Sequence, residues 1–71
     1  MERSLFTVSP ALTGWQLGEQ GQSRNWFPDK LAALLAADRL AELRHSSTGK
    51  PTGVKVQMSV GGDWVLVGVR G

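Results

Sequence analysis

Apolar positions recur with two different periods along the chain, and the changes of period divide it into three regions. Phe6-Thr7-Val8 and Trp15-Gln16-Leu17 alternate, so that within each run every second side chain shares one face of a strand. Pro10 lacks an amide for a strand ladder and Gly14 precedes the second run, so the two read as an antiparallel pair joined by a loop over residues 9–13. A turn at Gly18-Glu19-Gln20-Gly21 leads to a third strand, Ser23-Arg24-Asn25-Trp26-Phe27.

From residue 28 to about residue 45 the period becomes helical. Pro28 and Asp29 suit a first turn, where a missing donor costs nothing and a carboxylate meets the positive end of the dipole. Steps of roughly 100° per residue gather Ala32, Ala33, Ala36, Ala37, Leu40, Ala41 and Leu43 on one broad arc, with Leu34 at its edge. Leu31 and Leu35 fall elsewhere, among Asp38, Arg39, Glu42 and His45. A helix that merely covers a sheet would turn that side to water, so two leucines there point to burial on a second side or to a partner. The cluster Ser46-Ser47-Thr48-Gly49-Lys50-Pro51-Thr52-Gly53 is dense in breakers and ends the helix.

The last third reads as a hairpin. Val54, Val56, Met58 and Val60 alternate with Lys55, Gln57 and Ser59, and Gly61-Gly62-Asp63 turns the chain into Trp64-Val65-Leu66-Val67-Gly68-Val69. A two-residue loop would put Val54, Val56 and Met58 on one face with Val65, Val67 and Val69, and would turn Trp64 and Leu66 outward. The expected core is Phe6, Val8, Trp15, Leu17, Phe27, Leu40, Val54, Val56, Val65 and Val67, with Ala33 and Ala37 letting the helix approach the sheet closely. The expected fold is α+β and two-layered: an antiparallel sheet of four or five short strands with one α-helix packed on one face, forming a single domain over residues 1–71.

Composition narrows the functional classes. A chain of 71 residues buries only about 60% of its unfolded surface, and small domains often gain stability by associating. There is no cysteine, hence neither a disulfide framework nor a thiolate metal site. Met1-Glu2-Arg3-Ser4-Leu5-Phe6 lacks the apolar stretch of a signal peptide, and no run of about 18 apolar residues could span a membrane. The expectation is a cytoplasmic protein with no membrane partner. The net charge is only +2 and the basic residues, Arg3, Arg24, Lys30, Arg39, Arg44, Lys50, Lys55 and Arg70, are scattered, whereas phosphate binding needs them clustered.

Val8-x-Pro10, Gly14-Trp15-x-Leu17, Gly21, Phe27-x-x-Lys30, Ala33, Ala37 and Leu40-Ala41 together resemble a small bacterial family, the domain of unknown function numbered 2188. The resemblance covers residues 6–41, and the tail, with Val54, Val56 and a Gly-Asp turn, follows it more loosely. The family places an acidic residue near Ala32 and Ser or Thr near Pro28, and this chain departs at both positions. The resemblance implies a strand, strand, helix, strand arrangement and carries no activity with it.

A search for chemistry yields no catalytic, cofactor or metal residues. His45 is the sole histidine, and the acids Glu2, Glu19, Asp29, Asp38, Glu42 and Asp63 are dispersed along the chain. Ser46-Ser47-Thr48-Gly49-Lys50 hints at a phosphate loop, but the upstream glycine is missing, Pro51 stands where the metal-binding hydroxyl belongs, and the helix precedes the loop instead of following it. Gly18 and Gly21 share the spacing of an RNA-module backbone clamp but sit between strands. Two readings follow. The first is a non-enzymatic interaction module that binds a second copy or another protein through Leu31, Leu35, Trp64 and Leu66. The alternative is a nucleic-acid-binding module using Arg24, Trp26 and Lys55, with Trp64 as a further stacking platform.

Overall fold

The computed structural model describes residues 4–70. Met1, Glu2 and Arg3, read above for a leader, lie outside the described residues, as does Gly71. The chain runs β1 (Ser4–Ala11), β2 (Gly14–Glu19), β3 (Gln22–Phe27), α1 (Lys30–Thr48), β4 (Thr52–Gln57), β5 (Trp64–Arg70). The strands form one open sheet in the order β3-β2-β1-β4-β5, and α1 packs against it, the expected two-layer α+β arrangement. The sheet is mixed and not wholly antiparallel as expected: three neighbouring pairs are antiparallel, and β1 with β4 is parallel, because the sequence pattern of a strand does not show which distant strand it will lie beside. The connection from β1 to β4 passes through two strands and the helix, long enough for the crossover that parallel strands need.

Alternation sets the core as the pattern predicts for four strands. Phe6 and Val8, Leu17, and Val54 and Val56 are buried beneath the helix, with Trp15 and Phe27 packed at the margin. β1 does not stop at Pro10 but continues to Ala11, paired with β2. Its alternate residues face different neighbours: Ser4 donates to the Pro51 carbonyl on the β4 side, and Leu5 accepts from Gln20 on the β2 side. Pro10, even-numbered like Ser4, therefore turns its nitrogen toward β4, where pairing has already ended at Val8, and its missing donor costs no ladder bond. The turn between β2 and β3 shrinks to Gln20 and Gly21, both at positive φ (52° and 84°), the backbone that matches strand twist in a two-residue hairpin.

Pro28 lies before the helix, not in its first turn. Asp29 is the N-cap, its carboxylate accepting from the Ala32 amide at 2.8 Å. At the other end the helix runs through Ser46, Ser47 and Thr48, residues expected in the linker. It closes on Gly49, whose left-handed backbone (φ 71°) lets its amide reach the His45 carbonyl at 2.7 Å. The Ser46–Lys50 stretch is thus a helix C-terminus, the wrong end for an anion. The buried stripe is narrow, comprising Ala33, Ala37 and Ala41, with Leu34, Ala36 and Leu40 partly buried beside it. Leu43, placed on the arc by phase, is exposed, because alanines held close to the sheet leave a residue well round the cylinder out of reach. Thr52, fully buried at the start of β4, donates to the Ala41 carbonyl at 3.1 Å and ties sheet to helix.

β5 departs most from expectation. Val65 and Val67 were expected in the core; instead Trp64, Val65, Leu66, Val67 and Val69 are between 43% and 55% exposed. The strand lies at the sheet edge, beyond the reach of the alanine stripe. Val65 pairs with Val56 and so shares the helix side, while Trp64 and Leu66 pair with Gln57 and Lys55 on the outer face, as predicted. A register shift between Val54 and Lys55 inserts Val67 as an extra residue, and beyond it Val69 pairs with Gly53 on the outer face, not with the core. Met58 has left the strand and is exposed, and residues 58–63 form the connection.

Candidate interaction surface

Two charged residues of the helix fall in the same phase as the alanine stripe. Lys30 and Arg44 each lie seven residues from Ala37, close to two full turns, and so also face the sheet. Lys30 Nζ sits 5.9 Å from the Trp15 ring centroid and Arg44 Cζ 5.8 Å from that of Phe6. Arg44 is held there by Glu19, whose carboxylate is only 11% exposed and accepts from Arg44 at 2.5 Å and from Arg24 at 2.7 Å. Sequence reasoning missed this bridge because it links three separate elements; the signal available was the phase of Arg44. Glu19→Gln should cost about 1 kcal/mol, since both arginines are more than a third exposed. Urea titrations should show that loss shrinking in molar salt.

On the opposite flank of the helix, Leu31 and Leu35 are 66% and 63% exposed. Leu34, Leu35 and Asp38 on α1, with Val54, Val67 and Gly68 below, enclose an open groove of about 280 Å³ between helix and β5. Gly68 has no side chain to fill it: a Cβ there would sit 3.8 Å from Asp38 Oδ1 and from Val54, which is ordinary contact. Lys30 Nζ approaches Met58 Sδ at 3.3 Å, which places the start of the helix, and with it Leu31, beside the approach to β5. On the other sheet face, the Lys55 ammonium lies 5.3 Å from the Trp64 ring centroid. Leu31, Leu35, Trp64 and Leu66 therefore flank one edge strand, two from above on the helix side and two on the strand's own outer face.

The nucleic-acid residues do not meet in this way. Trp26 is on the outer face of β3, over Gly14, where an added Cβ would lie 2.7 Å from the indole. Arg24 is engaged by Glu19 toward the helix side. Lys55 is on β4, three strands from β3, or roughly 14 Å at the usual strand spacing. His45 Nδ1 donates to the Lys50 carbonyl at 2.8 Å, fastening the helix end to the following loop. Among the described residues no three His, Cys, Asp or Glu side chains gather where they could hold a metal ion, and no helix is long and apolar enough to cross a membrane.

Comparison with family models, with curated proteins and with solved structures finds no match to this chain.

Proposed function

We propose that this chain is a non-enzymatic interaction module that self-associates through its β5 side. One observation carries the reading: β5 is an edge strand with apolar side chains exposed on both faces, and two exposed leucines of α1 stand beside it. Exposed apolar side chains gathered along one edge often mark an interaction surface, and a twofold dimer is the commonest way of covering a patch that complements itself. The same reading takes the chain as a cytoplasmic, bacterial member of the domain-of-unknown-function family 2188, on the residue pattern it shares with that family. The nucleic-acid alternative finds less support, because Arg24, Trp26 and Lys55 are spread over two faces.

Sedimentation tests the reading. The parent chain should sediment as a dimer at high concentration with little dependence on salt, whereas a phosphate-bound complex would weaken steeply. Changing Leu31 and Leu35 together to Glu should give a monomer with an unchanged circular dichroism spectrum, since both side chains are already mostly in solvent. A parent chain that stays monomeric at high concentration overturns the proposal.

A further inference from the structure

We infer that the second copy joins edge to edge, its β5 running antiparallel to this β5 about a twofold axis at Val65, so that two five-stranded sheets become one of ten. This rests on the self-association proposed above and specifies its geometry.

The two open edges of the sheet are built differently. Both edge strands carry a register shift, but β3 also carries Gln22, Ser23, Arg24 and Asn25 along its length, and polar side chains are one way that edges avoid further pairing. β5 has neither a proline nor a charged residue from Trp64 to Val69, so a second copy can approach without like-charge contacts.

The backbone selects the register. Because the Pro51 carbonyl accepts from Ser4, alternation turns Thr52, Val54 and Val56 toward β5. Their partners Val65, Gly68 and Arg70 turn inward to β4, leaving the amides and carbonyls of Trp64 and Leu66 directed at the open edge. The inserted Val67 breaks the alternation, so a straight ladder is available over Trp64, Val65 and Leu66. Only one twofold register matches both faces there. Trp64 lies opposite Leu66 of the second copy on the outer face, twice by symmetry, and Val65 lies opposite its own counterpart on the helix side. Each Trp-Leu pair exchanges two main-chain hydrogen bonds, and Leu35, which lines the groove between helix and β5, stands with Leu31 on the flank of the helix nearest the seam.

The area suits a second copy. A valine or leucine side chain removes roughly 60–120 Å² from water on burial and an aromatic about 150–250 Å². At their observed exposures the five β5 side chains and two helix leucines thus leave on the order of 500 Å² of apolar surface. A stable interface takes about 800 Å² from each partner, a little over half of it non-polar, so the joint reaches that size only by covering nearly all of this apolar surface.

The absence of cysteine makes single-cysteine cross-linking an unambiguous test. At the axis the two Val65 residues form a non-hydrogen-bonded pair with Cα atoms about 4.5 Å apart, within the span of a disulfide. Under mild oxidation, most of a Val65→Cys chain should run as a covalent dimer on a non-reducing gel, with Leu35→Cys and Leu66→Cys linking at least tenfold more slowly. If the parent is a dimer but Leu35→Cys or Leu66→Cys links faster, the copies meet through helices or outer faces, and edge pairing fails while self-association stands. A dimer in which none of the three links overturns edge pairing equally, and a parent that is monomeric at every concentration overturns both.

Discussion

Phe6→Ala should cost about 3–5 kcal/mol, a large share of the total stability of a domain this size, which at typical values per residue is about 4–11 kcal/mol. Phe6 is 1% exposed. Its strand neighbours are Glu19 on β2 and Val54 on β4, and its ring also carries the Arg44 guanidinium. Truncation would open a cavity on the central strand, where neighbours bonded on both sides cannot collapse to fill it, and would remove the surface over which Arg44 reaches Glu19. Urea unfolding at fixed chain concentration, with Val67→Ala as control, checks this. Val67 is more than half exposed at the edge, so its truncation should cost well under 1 kcal/mol in a chain made monomeric by the Leu31, Leu35 double substitution. Equal losses for the two variants would mean that the core does not lie where Phe6 places it.

Ala37→Leu should be nearly as damaging, at about 3 kcal/mol, because it overfills a site that has no space. Ala37 is completely buried at the middle of the stripe, where helix and sheet approach most closely. The added carbons can be accommodated only by lifting α1, which also draws the Ala41 carbonyl away from Thr52 and Arg44 away from Glu19. Leucine is as good a helix former as most residues, so propensity cannot account for a loss of that size. A midpoint of urea unfolding lowered to near that of Phe6→Ala is the expected result, and a midpoint close to the parent's would show that helix and sheet stand further apart.

The candidate surface was legible in the sequence to the extent that it depended on angle. The 100° steps that separated Leu31 and Leu35 from the alanine stripe required no knowledge of what lay beneath, and the structure leaves both in solvent. Parity likewise put Trp64 and Leu66 on the outer face, since any connection with an even number of residues gives the same odd pairing sum as a two-residue turn, and residues 58–63 make one. The valines of β5 were misplaced because alternation says which residues share a face and says nothing about whether that face is covered.

Local chemistry along the chain therefore determined the elements: Asp29 and Gly49 bracket the helix, Gly21 permits a tight hairpin, and Phe6, Val8, Leu17, Val54 and Val56 alternate into one core. Three things were decided only by tertiary structure. Strand order sent β5 to the edge and the polar β3 to the other; the inserted Val67 turned Val69 away from the helix; and the approach of α1 brought Arg44 onto Phe6 and Glu19. The physical reason is the same in each case. A side chain's face follows from its own backbone within a few residues, whereas what covers that face depends on which distant strand or helix lies beside it, and an apolar strand reads identically whether its neighbour belongs to the same chain or to another.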